Sequence, residues 1–236
     1  METTFQRARS EEQRAIRRQA ILDTVAAMLE EMPVSDVSLN ELSRRVGLAK
    51  SNVLRYFDSR EAVLLALLDA LTREWLEQLS ESLPAAVDAR ASYERRAEQF
   101  AGTIARSLAE RPVLCDLLSA QAAVLEHNVS SESIATFKRS GVARAGMLVG
   151  LIRQALPELS EDQAWRLVVG ALMLISSLWS HATPPPAVCE AYEQIPELTA
   201  MRLEFEPALA DFLATMAVGL HARAHGEGGI RTLGRG

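Results

Sequence analysis

The chain has 236 residues, with 25 Lys and Arg against 31 Asp and Glu, a formal net charge of −6. Hydrophobic residues make up 48% and charged residues 24%, a balance that is typical of globular proteins, and the negative net charge argues against a uniformly basic surface. Residues 1–60 carry ten basic and nine acidic side chains, whereas residues 61–236 carry fifteen and twenty-two. A near-neutral head on an acidic body is compatible with one end that binds a polyanion.

Helix-forming Ala, Leu, Glu and Arg dominate the composition, which favours an all-α fold. In the N-terminal part, Ile21, Val25 and Met28 share one helical face, which predicts a first helix over residues 11–32. Ser38 and Glu41 have the spacing of a capping box, which opens a short helix that Gly47 ends. A second short helix is predicted over residues 50–56.

The remaining helical patterns extend to about residue 221. Asp58 and Glu61 form a second capping-box pattern, which opens a long helix that we expect to end at Pro84 and the Ala-rich stretch after it. Further helices are predicted over residues 92–108, 112–126, 131–156, 160–181 and 206–221, with a short one near 190–194. We predict a DNA-binding domain over residues 1–59, a second helical domain over 60–224 and a disordered tail over 225–236.

Two short helices joined at Gly47 predict a helix-turn-helix between residues 38 and 57. Its apolar side chains can bury one small core; they are Leu39, Leu42, Val46, Leu48, Val53, Leu54 and Phe57. Lys50, Ser51, Asn52, Arg55 and Tyr56 then face outward. In the major groove, Asn can pair with adenine and Arg with guanine, while Lys, Ser and Tyr can bind phosphates.

Basic residues lie where a bound duplex needs them. Five occupy the N-terminal arm and the start of the first helix: Arg7, Arg9, Arg14, Arg17 and Arg18. Arg60 lies in the first turn of the fourth helix, whose free N–H groups can also receive a phosphate. The candidate DNA-binding residues are Arg18, Ser38, Lys50, Ser51, Asn52, Arg55, Tyr56 and Arg60.

Residues 12–79 resemble the DNA-binding domain of the TetR (tetracycline-repressor) family. The resemblance rests on Gly47, the Ala49-Lys50 turn, the segment 51–57, and the run Arg60-Glu61-Ala62-Val63-Leu64, with Arg18 and Ile21 opening the first helix. Leu54 stands where the family often has Tyr, and Ala49 where a Ser or Thr cap is common. The resemblance implies a homodimeric repressor of nine or ten helices that binds a palindromic operator, double-stranded DNA. It also implies a C-terminal domain that binds a small effector and pairs through its last two long helices.

The C-terminal pattern agrees with this expectation. Residues 165–179 are apolar on almost every side, and the last predicted helix has its own apolar stripe. Two such helices from each subunit would form a four-helix bundle between subunits, although a monomer core would show the same pattern. The candidate ligand-binding residues are Gln121, Phe137, Met147, Met173 and Trp179, and the alternative for each is ordinary core packing.

Other chemistry finds little support in the sequence. Two cysteines, Cys115 and Cys189, fit a reducing compartment, and whether either senses oxidant stays open. The first 15 residues have no apolar stretch after their charges, and the most apolar window, residues 167–178, is too short to span a bilayer. We therefore expect a cytoplasmic protein without membrane contact.

Catalytic and metal sites are not expected either. His221 and His225 have i, i+4 spacing but no clear third ligand, so no metal or other cofactor is predicted. No nucleophile elbow, phosphate-binding loop or dinucleotide fingerprint is present, so we predict that the chain is not an enzyme. The alternative to a DNA-binding regulator is a helical small-molecule binding protein without sequence-specific DNA binding.

Overall fold

A computed structural model describes the backbone of residues 2–225 and the side chains of residues 11–223. The long helices are α1 (Glu2–Glu31), α4 (Arg60–Ala86), α5 (Tyr93–Ala109), α7 (Ser131–Ala155), α8 (Glu161–Ala182) and α11 (Phe205–His225). The short ones are α2 (Leu39–Val46), α3 (Lys50–Val53), α6 (Pro112–Ala120), α9 (Pro186–Gln194) and α10 (Pro196–Thr199). Residues 2–225 contain no strand, which confirms the all-α prediction. Residues 226–236 of the predicted tail lie outside the described residues.

One helix boundary follows its sequence prediction and another differs. The break predicted at Pro84 and the Ala-rich stretch after it is confirmed, because α4 ends at Ala86, two residues after Pro84. Pro84 lies in the last turn, where its missing N–H removes one hydrogen bond near an end that would fray anyway. Buried Leu79 and Leu83 continue the apolar face of α4 up to the proline. The segment predicted as a helix over 112–126 ends in a π-helical turn, Gln121–Leu125.

The chain divides into two compact units. The first contains the residues up to Arg73 together with Val113–Gly141, and the second contains Glu74–Pro112 together with the residues from Val142 onward. Helices α4 and α7 therefore each contribute residues to both units. By this division, the unit that contains the helix-turn-helix is larger than the domain predicted over residues 1–59.

The core of the first unit supports its short helices. The stripe predicted on α1 is fully buried, with Ile21, Val25 and Met28 at 0% exposure. Leu64 and Leu68 of α4 are also buried. Burial of each such side chain stabilises the fold by about 1.5–3 kcal/mol, so the scaffold does not depend on the intrinsic stability of α2 or α3.

The second unit is organised around α11, which packs against α5 and α8. Tyr93 of α5 donates its hydroxyl to the Ala217 carbonyl at 2.8 Å. Gln163 of α8 donates to the Leu220 carbonyl at 2.6 Å and also completes a capping box with Ser160, which confirms the predicted start of α8. Trp179 packs edge-on against Phe205, with ring centroids 4.9 Å apart.

Among residues 2–225, no single helix combines the length and hydropathy that crossing a membrane requires. Helices α8 and α9 reach that threshold only when taken together, across a bend of 65°.

Candidate nucleic-acid interface

Helix α2 begins at Ser38, whose hydroxyl accepts a hydrogen bond from the Glu41 backbone N–H at 3.1 Å. The second half of the predicted capping box is absent from this cap, because the Glu41 carboxylate binds Arg44 at 2.6 and 2.8 Å and Arg45 at 2.8 Å. Hydrogen bonds from Arg44 and then Arg45 lower the pKa of Glu41 from its ordinary value of 4.5 to about 2. Arg45 also binds Glu31 of α1 at 2.7 Å. These ion pairs connect α2 to α1.

The turn after α2 requires glycine. Gly47 has φ +72° and ψ +27°, a left-handed conformation that a β-carbon disfavours. The Leu48 N–H binds the Ser43 carbonyl at 3.1 Å and the Gly47 N–H binds the Arg44 carbonyl at 3.3 Å, which is the Schellman pattern of helix termination. This turn sets the direction in which the chain enters α3.

Replacing Gly47 by Ala is expected to destabilise the protein by about 1–2 kcal/mol, the cost of placing an L-residue in this conformation. No atom lies within 4 Å of the added β-carbon, so the loss comes from backbone strain alone. Thermal unfolding measures it. The control is Gly47→Asn, which tolerates this region better and should lose less; equal losses would contradict a strain mechanism.

Helix α3 is shorter than predicted, but its helical turn continues. Backbone hydrogen bonds at 2.9 and 3.2 Å connect Tyr56 and Phe57 to the Val53 carbonyl. We call residues 50–57 the reading segment. Val53 and Phe57 are buried, whereas Lys50, Ser51, Asn52 and Arg55 are exposed and Tyr56 is half-buried. The outward row predicted from the sequence is therefore present in the structure.

Leu54 departs from the sequence prediction. It was expected in the small core, but it is 42% exposed. Because Val53 and Phe57 already occupy the inward face of this short segment, Leu54 lies on the side that carries the polar residues. The segment thus presents one apolar side chain beside Arg55.

Arg18 of α1 contacts the end of the reading segment. Its Nη1 donates to the Tyr56 carbonyl at 3.2 Å, and its guanidinium carbon lies 4.2 Å from the centre of the Phe57 ring. Burial, with a smaller contribution from neighbouring Arg14, lowers the pKa of Arg18 from its ordinary value. Arg18 therefore stabilises the segment that precedes α4, in addition to any contact with DNA.

Arg60 has a different environment from the one predicted. Its Nη1 donates to the carbonyls of Ser35 at 3.3 Å and Val37 at 3.0 Å. Its Nε lies 3.1 Å from a Glu61 carboxylate oxygen. These contacts hold the guanidinium against the loop between α1 and α2.

Asp58 does not form the predicted capping pair with Glu61. Ser59 caps α4 instead, accepting from the Ala62 N–H at 3.1 Å. The Asp58 Oδ2 accepts hydrogen bonds from the Ser130 N–H at 3.2 Å and the Ser133 hydroxyl at 3.1 Å, at the start of α7. Burial opposes ionisation, but these hydrogen bonds hold the pKa of Asp58 below its ordinary value. No local sequence signal connects residues more than 70 positions apart.

The five predicted ligand-binding residues are divided between the two units, Gln121 and Phe137 in the first and Met147, Met173 and Trp179 in the second. Met147 and Met173 are 47% and 68% exposed, so neither is enclosed within the subunit. Trp179 packs against Phe205 as described, and Gln121 donates to Glu126 at 2.8 Å. Phe137 is buried and lines a cavity of about 440 Å³ in the first unit. The assignment of these residues to an effector site stays a prediction.

A cavity that the sequence did not indicate lies in the second unit. It has a volume of about 280 Å³, and its lining includes Leu83, Pro84, Leu151 and Arg96. Arg96 is buried and binds the Ala155 carbonyl at 3.3 Å as well as the Glu158 carboxylate. The described part of the chain contains no group of three or more His, Cys, Asp or Glu side chains that could hold a metal ion; the side chain of His225 lies outside the described residues.

An exposed polar row on a short helix, joined through a glycine turn to a second helix, defines a helix-turn-helix protein of the nucleic-acid-binding class. Family comparisons agree. Residues 21–67 match the model of bacterial regulatory proteins of the tetR family. Residues 69–224 match the tetracyclin repressor-like C-terminal domain. The chain belongs to the tetR family of bacterial regulatory proteins.

Individual relatives are similar over different extents. The HTH-type transcriptional regulator EthR of Mycobacterium tuberculosis is 40% identical over 55 residues, which are 23% of this chain and 26% of that protein; the match thus spans about a quarter of the relative. A TetR regulator structure from Rhodococcus sp. RHA1 has a TM-score of 0.57 at 13% identity, covering 90% of this chain and 98% of that one. FadR of Bacillus subtilis, solved in complex with stearoyl-CoA, has a TM-score of 0.52 at 12% identity, covering 85% and 97%. These structures share the fold.

Proposed function

We propose that the protein is a cytoplasmic, dimeric repressor that binds a palindromic DNA operator through its reading segment and releases or retains it in response to a small-molecule effector. The observation that supports this most strongly is the exposed row of Lys50, Asn52 and Arg55 on a helical turn whose other face is anchored by Val53 and Phe57. Polar side chains on a supported helix are what direct readout of the major groove requires.

Each side chain of the row has a distinct part in the proposed complex. Asn52 and Arg55 can form paired hydrogen bonds with adenine and guanine edges. Lys50, Ser51 and the Tyr56 hydroxyl can bind phosphates, which fix the register of the protein on the duplex. Ser38, Arg60 and the backbone N–H groups at the start of α4 that Ser59 does not cap are further candidates for phosphate contacts. Arg18 acts mainly by holding Tyr56 and Phe57.

Dimerisation is supported by the exposed apolar side chains of α8 and α11. Val169 and Met173 lie one turn apart on α8 beside Leu172, and Phe212 lies on α11; all four are more than 40% exposed in the subunit. A cluster of this kind on a folded subunit is typical of a protein interface. Pairing of the two helices with their symmetry mates would cover it and hold two reading segments about one DNA turn, on the order of 34 Å, apart or at a multiple of it.

The effector proposal rests on the family and on the cavity of the second unit. FadR is solved in complex with stearoyl-CoA, and the cavity of the second unit offers apolar walls that include Leu83, Pro84 and Leu151. A ligand there would change operator affinity only by its difference in affinity for the DNA-bound and free conformations.

Selection from random double-stranded DNA tests the proposed function. The full chain is incubated with a pool of random duplexes, and bound molecules are recovered and sequenced. We expect an inverted repeat whose half-sites are separated by one helical turn or a multiple of it. Recovery of no common sequence, with the protein folded, would leave the alternative of a small-molecule binding protein without sequence-specific DNA binding.

A further inference from the structure

The contact between Asp58 and the first turn of α7 carries an inference that rests on, and deepens, the proposed function. Asp58 directly follows the reading segment. Its carboxylate accepts from the Ser130 N–H and the Ser133 hydroxyl. Ser130 in turn caps α7, since its hydroxyl accepts from the Ser133 N–H at 3.2 Å. A carboxylate at the start of a helix is favoured by the helix dipole and by the free N–H groups there.

The reading segment has little stability of its own. Helix α3 spans four residues, and Ala49 provides no side-chain cap. A single helical turn of this length does not persist in water without tertiary contacts. Its buried side chains Val53 and Phe57 fix one face, and Arg18 holds the Tyr56 carbonyl. The position of its C-terminal end therefore depends on a few specific contacts.

Apolar packing does not fill the space next to this end. The 440 Å³ cavity of the first unit is lined by residues 54–58 and also by Ser130, Ser133 and Phe137 at the start of α7. When a space of this size lies between two segments, apolar packing constrains their relative position less. The hydrogen bonds that bridge the segments then contribute more to that constraint. The hydrogen bonds of Asp58 are charge-assisted bridges of this kind.

We propose that Asp58 is a positioning residue that anchors the reading segment to the first turn of α7, so that the position of this turn controls affinity for the operator. Asp58 does so without contacting a base itself. Helix α7 continues from this turn to Ala155 and contributes residues to the second unit. A change in α7 is thereby transmitted to Lys50–Phe57 through two hydrogen bonds.

A double-mutant cycle tests the proposal. Operator affinity is measured for the wild type, Asp58→Ala, Ser133→Ala and the double variant, with the duplex selected by the wild type as the probe. We expect each single change to weaken operator binding about tenfold, the scale of a lost hydrogen bond to a charged group. The double variant should be no weaker than Asp58→Ala alone, because both changes remove the same contact. Binding to a duplex of unrelated sequence should change less than twofold.

Two variants serve as controls. Glu132→Gln alters a charged residue in the same turn of α7 that accepts neither hydrogen bond, and it should bind like the wild type. Asp58→Asn keeps an acceptor oxygen and should restore part of the affinity lost in Asp58→Ala. Additive effects of Asp58→Ala and Ser133→Ala, or equal losses for specific and unrelated DNA, would overturn the proposal.

Amide hydrogen exchange gives a readout that needs no DNA. In Asp58→Ala and Ser133→Ala, exchange at Lys50–Phe57 should accelerate, while exchange in the core of α1 around Val25 should not. Unchanged exchange at Lys50–Phe57 would overturn the proposal even if DNA selection succeeds. Failure of the selection with the wild type would instead count against the proposed function, and the exchange result would still decide this inference. If Asp58→Ala does not fold, the exchange measurement on Ser133→Ala tests the inference, because that variant removes a single hydroxyl.

Discussion

Replacement of both Asn52 and Arg55 by alanine is expected to lower affinity for the selected operator by at least about 100-fold. A good bidentate contact between a side chain and a base contributes about 1–3 kcal/mol of discrimination, and a dimer has two such contacts in each half-site. A tenfold change in affinity corresponds to about 1.4 kcal/mol. The expected 100-fold loss is therefore smaller than the sum of these base contacts. Both residues are exposed, so the fold should not depend on them.

The measurement is a titration of the selected operator and of an unrelated duplex, with circular dichroism and thermal unfolding in parallel. Arg153→Ala combined with Gln194→Ala is the matched control, because it removes one guanidinium and one amide from exposed positions in the second unit. The control should retain full operator affinity. If the Asn52 and Arg55 double variant also keeps its preference for the operator, these residues do not read bases.

Introducing carboxylates on the exposed apolar faces of α8 and α11 is expected to dissociate the dimer. Leu172 and Phe212 are 43% and 46% exposed, so Leu172→Glu with Phe212→Glu should leave the subunit folded. In a paired interface, the same change would bury four unpaired charges, each at a cost of several kcal/mol. Sedimentation velocity should show monomers at micromolar concentration, and operator affinity should fall at least about 100-fold because a monomer binds one half-site.

The matched control places two carboxylates on exposed apolar residues of another segment. Ile195 precedes α10 and Met201 follows it, and they are 43% and 66% exposed. Ile195→Glu with Met201→Glu should remain dimeric and bind the operator. A dimeric Leu172 and Phe212 double variant would show that the subunits pair through another surface.

The helices were predictable from the sequence because local signals set most of their ends. The Ser38 and Ser160 caps and the Gly47 stop all act within a few residues, and the stripe of α1 has a helical period. The end of α4 was predictable within two residues, because Pro84 and the Ala-rich stretch after it mark the break. Pro84 costs little there because only two residues of helix follow it.

The site was predictable only in part, for a related reason. The outward row of the reading segment follows from helical periodicity once Val53 and Phe57 are placed inside. The partners of Arg60 and Asp58 are distant in sequence, so no local pattern indicated that one binds the loop before α2 and the other binds α7. The sequence pattern alone does not select the ligand residues, because an apolar residue at helical spacing can face the core, a cavity or another subunit equally well.

The acidic partners of the arginines in α2 bear on how the protein would respond to ionic strength. Arg44 and Arg45 form ion pairs with Glu41 and Glu31. The helix-turn-helix therefore has fewer unpaired cations than basic residues in its sequence. Each phosphate neutralised by a protein cation releases counterions, which steepens the dependence of the binding constant on electrolyte concentration. With these two arginines paired, fewer counterions are released, and we expect operator affinity to fall less steeply with salt concentration than the number of basic residues alone implies.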